Sequence, residues 1–87
     1  MDRPTLAWDA LPKLSSAQMQ QLLTLLTGKY GLDHRVIVEY AGRNLAELAL
    51  EHAPEGPVLV VAGRGHNGSG GFAAARLLAG LGRAVWV

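Results

Sequence analysis

The feature that most constrains the fold of this 87-residue chain is a short apolar run that ends in a dense cluster of glycines. Residues 58–62 are rich in β-branched side chains and show no polar alternation, which is typical of a strand buried on both faces of a parallel sheet. Five glycines then fall within residues 63–71. A predicted helix over residues 72–81 and a predicted strand over residues 84–87 complete a β-α-β unit, whose crossover is long enough for the right-handed connection between parallel strands. The sequence therefore predicts an α/β fold.

Two amphipathic helices are predicted ahead of this unit. The first begins with a capping box formed by Ser15 and Gln18 and ends near Gly28. Its apolar residues have the spacing of a buried stripe, which comprises Met19, Leu22, Leu23 and Leu26. The second is capped by Asp33 and runs to about His52. One apolar face of this second helix is predicted to comprise Val38, Ala41, Leu45, Leu48 and Ala49.

The predicted organisation is a short arm followed by part of one domain. Residues 1–13 contain two prolines and no helical or strand periodicity, so we expect an arm that packs through Trp8. Residues 14–87 are predicted to be the N-terminal half of a larger α/β domain. Two parallel strands leave two open sheet edges, and a typical domain has about 100–150 residues.

Composition excludes several classes of function. The formal charge of +1 gives no electrostatic basis for binding nucleic acid or an anionic membrane. There is no cysteine, which rules out disulfides, thiolate metal sites and cysteine nucleophiles. The apolar runs are far shorter than the roughly 20 residues of a membrane-spanning helix. Residues 1–13 lack the pattern of a secretory leader, so the expected location is cytoplasmic.

The glycine cluster contains a candidate nucleotide-binding motif. Residues 63–68 read G-R-G-H-N-G, which satisfies G-x-G-x-x-G between a predicted strand and a predicted helix. Glycines permit close approach of the backbone to a ligand, and free N–H groups at a helix start favour a phosphate. A purely structural turn is the alternative interpretation. Ser69 stands where a P-loop requires lysine, so an ordinary P-loop NTPase is excluded.

Polar side chains near the motif each have two interpretations. Asn67 is a candidate ligand for a hard cation or a residue that holds the turn, and Ser69 is favoured as a helix cap over a ligand. His66 is a candidate acid or base, although a loop histidine without a titratable neighbour is more often solvated. Arg64 and Arg43 are candidate phosphate contacts or simply exposed.

Other titratable side chains lie outside the motif. Glu39 is predicted to face either the loop or solvent. His34 and His52, near opposite ends of the second helix, are too far apart for a metal pair and are predicted to be surface residues.

Several separated segments resemble the N-terminal domain of the YjeF proteins, the NAD(P)H-hydrate epimerases, which are related to apolipoprotein A-I binding protein. The resemblance covers residues 14–87, which are 74 of the 87 residues. It rests on Ser16-Ala17-Gln18-Met19, Tyr30-Gly31-Leu32, Val38-Glu39-Tyr40-Ala41-Gly42-Arg43 and the strand, loop and helix of residues 58–78.

The resemblance implies a Rossmann-like three-layer α/β fold, of which this chain holds the N-terminal helices and the first β-α-β unit. It implies an isomerase that interconverts the epimers of hydrated NADH and NADPH, binds potassium and forms a homodimer, or is completed by a second chain. The nucleotide would lie against His66, Asn67, Gly68, Ser69 and Gly70, with Asn67 as a potassium ligand. No catalytic residue is assigned within the chain, because the family's other contacts come from a later part of the protein.

The chain departs from the family's G-N-N-G-G-D-G loop in three places. His66 replaces an asparagine, Ser69 replaces a glycine, and Gly70 replaces the acidic residue. Tyr40 also stands where the family usually has asparagine. Because glycine supplies neither the charge nor the proton acceptor of a carboxylate, the resemblance implies impaired catalysis. The alternative is a non-catalytic module of the same fold that binds a nucleotide or a protein, and a third possibility is a truncated product.

Overall fold

A computed structural model of the chain describes residues 5–87. Its elements are a short 3-10 helix Trp8–Ala10, helices α1 (Ser16–Gly28), α2 (His34–His52) and α3 (His66–Gly80), and strands β1 (Val58–Leu59) and β2 (Val85–Trp86). The chain divides into two compact units, one up to Gly31 and one from Leu32 to Val87. Mixed helices with a small parallel sheet agree with the predicted α/β class.

The first unit consists of the described part of the arm and α1. The predicted capping box is confirmed: Gln18 N donates to Ser15 Oγ at 3.1 Å, and Ser15 N donates to Gln18 Oε1 at 2.8 Å. The predicted buried stripe is wrong, because Met19 and Leu22 are exposed and Leu23 is only half-buried. The packing role of Trp8 is also wrong, since 71% of its surface is accessible and Lys13 Nζ lies 5.1 Å from its ring centroid. The first four residues of the predicted arm lie outside the described part.

Helix α2 begins and ends where the sequence predicts. The carboxylate of Asp33 accepts from Arg35 N at 2.8 Å, which caps the first turn, and the helix ends at His52. Its predicted apolar face is confirmed only in part: Ala49 packs against the core, whereas Leu45 and Leu48 are exposed. The buried residues of α2 are instead small ones, Gly42 and Ala46. Glycine and alanine face inward because α3 approaches so closely that larger side chains do not fit.

Strands β1 and β2 pair in parallel, as predicted. Val58 is in register with Val85, and Val58 N donates to the carbonyl of Ala84 at 2.8 Å. Each strand is shorter than predicted, with two residues. The prediction of burial on both faces is wrong: Val58 and Val85 pack inward on the core, whereas Leu59 and Trp86 on the opposite face are 71% and 69% exposed.

Helix α3 begins earlier than the sequence predicts. The predicted start at residue 72 is wrong, because the helix already begins at His66 and includes the second half of the glycine cluster. Glycine has a low intrinsic helix propensity, which is why this segment resembles a loop in the sequence. Tertiary packing outweighs that propensity: Gly68, Gly70 and Gly71 are all buried.

The core lies where α2, α3 and the sheet meet. Ala46, Ala74 and Leu78 form its buried cluster, with Val58 and Val85 packed against it. Gly42 sets the distance between the helices, because a Cβ added there would lie 2.5 Å from the Cβ of Ala73. Helices α2 and α3 therefore approach so closely at this point that only glycine, which has no side chain, fits.

Arg83 joins the segment after α2 to the segment before β2. Its Nη1 donates to the carbonyl of Ala53 at 2.9 Å, and its Nε donates to the carbonyl of Gly56 at 2.8 Å. Ala53 is the C-cap of α2, so the guanidinium lies at the C-terminal end of that helix, where a cation is favourably placed. None of the helices in residues 5–87 is long and apolar enough to span a membrane.

Candidate functional site

The glycine motif forms a compact turn between β1 and α3. Gly65 has a φ of +100°, a conformation that residues with a side chain rarely adopt. Gly68 lies directly over the start of the turn: a Cβ added there would come within 1.8 Å of the carbonyl oxygen of Gly63. Two of the three motif glycines are therefore required by backbone geometry, one by its positive φ and one by close approach.

The first turn of α3 has no side-chain cap. Gly65 occupies the N-cap position and offers no side-chain acceptor. The prediction that Ser69 caps the helix is wrong, because its Oγ instead donates to the carbonyl of Gly65 at 3.0 Å from within the helix. The backbone N–H groups at the helix start therefore have no side-chain acceptor, which is the arrangement found where helix N-termini bind anions.

The five predicted site residues all lie in this first part of α3. His66 and Asn67 are exposed, Ser69 is half-buried, and Gly68 and Gly70 are buried. A Cβ at position 70 would lie 3.6 Å from the Cβ of Ala41, so this position faces α2 rather than the outer surface of the turn. The structure thus separates an outward pair of side chains from glycines that pack inward.

A cleft of about 460 Å³ adjoins the loop and the end of β1. Asn67 is the only polar side chain among the described residues that line it, and the other lining residues are apolar or glycine. Hard cations such as Ca²⁺ take about six to eight oxygen ligands. This chain supplies one side-chain oxygen and some backbone carbonyls, so it fits part of a cation shell. Within residues 5–87, no group of three or more acidic or histidine side chains is placed to hold a metal ion.

A histidine pair lies at the start of the two helices. The rings of His34 and His66 stack with their centroids 4.1 Å apart and an interplanar angle of 8°. His34 is half-buried, and its Nδ1 is buried without a hydrogen-bond partner. Two predictions are wrong here: His66 does have a titratable neighbour, and His34 is not a free surface residue. The two histidines are 32 positions apart, which hides this contact in the sequence.

Charged side chains surround the start of α2. The side-chain hydrogen bond from Arg35 lowers the pKa of the Asp33 carboxyl below its ordinary value. Arg35 Nη2 lies 3.1 Å from Asp33 Oδ2 at an exposed position. Asp33 is thus an ionised cap beside His34, and its negative charge offsets the positive end of the α2 dipole.

A second and larger cleft of about 920 Å³ lies between α2 and α3. Its charged side chains pair with one another: Arg76 with Glu39, and Arg43 Nε with Glu47 Oε1 at 3.7 Å. Glu39 is exposed to solvent, and its carboxylate also pairs with Arg76 of α3. This cleft includes no residue of the glycine motif. We assign the candidate site to the smaller cleft, where the turn geometry and the uncapped helix start come together.

A strand, a glycine turn and an uncapped helix start follow one another in this α/β chain. The model of the YjeF-related protein N-terminus matches residues 34–87, and the chain belongs to this family. The match includes β1, the glycine turn and all of α3. It also includes the whole of α2, so both stacked histidines lie within it.

Individual relatives agree with the family assignment. The chain is 58% identical over 74 residues to an NAD(P)H-hydrate epimerase of Truepera radiovictrix. The aligned residues cover 85% of this chain and 34% of that protein. It is 38% identical over 77 residues to an NAD(P)H-hydrate epimerase of Rhodopirellula baltica, covering 88% of this chain and 32% of that protein. A bifunctional NAD(P)H-hydrate repair enzyme of Archaeoglobus fulgidus is 38% identical over 66 residues, 76% of this chain and 14% of that protein.

The chain spans about a third of the length of the epimerases that it matches. No solved structure matches it at a significant level. The family is therefore established by sequence, while the geometry of the turn comes from the structure described above.

Proposed function

We propose that this chain is the nucleotide-binding front portion of an NAD(P)H-hydrate epimerase, an isomerase that interconverts the epimers of hydrated NADH and NADPH. Membership of the family supports the reaction, and the curated relatives that it matches include proteins named NAD(P)H-hydrate epimerase. The remaining two thirds of such a protein would complete the site and the Rossmann-like three-layer fold. Residues 14–87 are then the first part of that one domain.

The observation that carries this proposal is the contact between Gly68 and Gly63. Only glycine at position 68 allows this close turn, and the N–H groups at the start of α3 that follow it have no side-chain cap. A nucleotide phosphate would accept hydrogen bonds from these groups. In this arrangement His66, Asn67 and Ser69 contact the nucleotide through their side chains or backbone, and the buried Gly68 and Gly70 contribute backbone atoms alone.

Potassium is proposed as the metal ion of the complete site. Asn67 would supply one oxygen ligand, because its side chain is exposed and lines the cleft at the end of β1. The other ligands would come from backbone carbonyls and from residues outside this chain. The ion would hold the nucleotide by charge, beside the hydrogen bonds of the helix start.

Gly70 is proposed to lower the rate of epimerisation, because a carboxylate there would supply a charge and a proton acceptor. The first side-chain atom fits at this position: a Cβ would make an ordinary contact with Ala41, and Gly70 does not have a positive φ. The second candidate function, a binding module of the same fold without catalysis, is favoured by the same glycine. Replacing it therefore distinguishes the two.

A second polypeptide surface is proposed to cover the outer face of the sheet. Leu59, Val61 and Trp86 expose 71%, 90% and 69% of their surfaces on that side. Such an apolar face is stable when another layer covers it. The layer would be supplied by the rest of the domain or by a second copy in a homodimer. The proposed location of the protein is cytoplasmic.

The test is epimerisation by the full-length protein, followed by separating the two epimers of hydrated NADH over time. We expect slow turnover in the natural protein and a faster rate in Gly70→Asp, since a positioned acid or base contributes about 10²–10⁴-fold. Asn67→Ala should weaken potassium and nucleotide binding, whereas Asn44→Ala, an exposed control on α2, should leave both unchanged. Fast turnover of the natural protein would contradict the impairment. Nucleotide binding without turnover in both the natural protein and Gly70→Asp would favour the binding module.

A further inference from the structure

We propose that the stacked pair His34 and His66 is a platform on which the adenine ring of the bound nucleotide stacks. This inference rests on the proposed function and adds to it the place of the base. Neither histidine belongs to the pattern that the family resemblance assigns to the loop, since His66 replaces an asparagine and His34 lies outside the motif.

The pair forms one outward surface with a support behind it. With centroids 4.1 Å apart and planes 8° from parallel, one face of His66 is covered by His34. His34 is half-buried and serves as the support, whereas His66 is exposed and presents its other face. Each histidine is the first residue of its helix, so regular structure fixes the backbone that carries each ring. The platform is therefore rigid before a ligand arrives, which lowers the entropic cost of binding.

The position of the platform suits a nucleotide whose phosphate lies at the start of α3. His66 is the first residue of that helix and follows Gly65, whose φ of +100° shapes the turn. In an adenosine phosphate the base and the 5′-phosphate are attached to the same ribose. A phosphate bound by the first N–H groups of α3 therefore brings the adenine within reach of the His66 ring.

The flat end of the substrate is the adenine. Hydration of the dihydronicotinamide ring adds water across a ring double bond and makes two tetrahedral carbons, so that ring is not planar. Adenine keeps a planar π face, and every base stacks well on an aromatic ring. The shape of the platform thus favours the adenine end over the hydrated nicotinamide end.

A metal-binding role for the pair does not fit its geometry. The nitrogen lone pairs of an imidazole lie in the plane of the ring, and these two planes are nearly parallel. Lone pairs in parallel planes do not converge on one ion at the bond lengths of about 2.0–2.1 Å that metals require. Stacking of a planar ligand is the use that parallel rings allow.

The experiment measures binding of ADP-ribose, AMP and ribose 5-phosphate to the full-length protein by calorimetric titration at constant potassium. His66→Ala should weaken ADP-ribose and AMP by about 5- to 150-fold, the effect of losing one base stack. The same variant should change binding of ribose 5-phosphate, which has the ribose and the phosphate but no base, by less than about twofold. His66→Phe keeps a flat ring and should retain most of the affinity for AMP.

Two further variants separate stacking from general structure. His34→Ala removes the support and should weaken binding of AMP, but by less than His66→Ala does. His52→Ala, at the exposed far end of α2, should leave the affinity for AMP unchanged. Thermal unfolding of each variant checks that the fold is retained. Equal losses for AMP and ribose 5-phosphate, or a loss in His66→Phe as large as in His66→Ala, would overturn the platform. If the natural protein binds hydrated NADH but His66→Ala binds AMP normally, only the platform fails. If the natural protein binds no nucleotide, the proposed function fails with it.

Discussion

Replacing Gly68 by alanine tests the link between the turn and the helix that follows it. The added Cβ would lie 1.8 Å from the carbonyl oxygen of Gly63 and 2.7 Å from its carbonyl carbon. Both are backbone atoms, so no side-chain rotation relieves the overlap. Ordinary contact begins at about 3.4 Å, and the turn must therefore open by roughly 1.5 Å.

Two opposing effects determine the size of the change. Alanine has a higher helix propensity than glycine, which would stabilise α3 by at most about 1 kcal/mol. Overpacking typically costs about 1–3 kcal/mol, and a clash between backbone atoms lies at the upper end of that range or above it. We expect Gly68→Ala to lower the free energy of unfolding by about 2 kcal/mol. In a domain of 150–250 residues this is a fall in Tm of about 4–8 °C.

The assay is thermal unfolding of the full-length protein, paired with titration of hydrated NADH. Gly80→Ala is the matched control, because Gly80 ends the same helix and an added Cβ there meets nothing within 4 Å. We expect the control to be as stable as the natural protein, or slightly more so, and to bind nucleotide normally. Equal stability of Gly68→Ala and Gly80→Ala would refute the inferred contact between the turn and α3.

Three other changes test separate parts of the structure. Gly42→Ala should destabilise the protein by about 1–3 kcal/mol in chemical unfolding, because its Cβ would overlap Ala73, and a neutral result would show that the two helices are farther apart. Arg83→Met keeps the aliphatic stem but removes the hydrogen bonds to the carbonyls of Ala53 and Gly56, so Tm should fall by an amount equivalent to about 1 kcal/mol. An unchanged Tm would show that these hydrogen bonds do not stabilise the fold. The isolated 87-residue chain should associate in sedimentation experiments through the exposed outer face of its sheet, which a concentration-independent monomer with cooperative unfolding would contradict.

Local signals in the sequence were sufficient to predict where α1 and α2 begin. The capping box of Ser15 and Gln18 and the cap at Asp33 involve residues within a few positions of each other, so their chemistry is visible in the sequence. The parallel β-α-β connection was also predictable, because an apolar strand followed by a helix and a second strand permits few arrangements.

Contacts between distant segments explain what the sequence did not reveal. The glycines at the start of α3 have low helix propensity, and only their packing against α2 and the turn explains why they are helical. The fully buried residues of α2 are Gly42 and Ala46 rather than leucines, because α3 lies so close to them. The pairing of His34 with His66 depends on how the two helix starts are placed side by side, which no local pattern encodes.

The central claim is that the turn before α3 binds the hydrated nicotinamide nucleotide. The most direct measurement is a titration of the isotope-labelled full-length protein with hydrated NADH, followed through its backbone amide resonances. We expect the largest and saturable shifts at residues 65–69, with little change around Glu39 and Arg76 in the larger cleft. Saturable shifts centred on the larger cleft, with residues 65–69 unmoved, would contradict the claim.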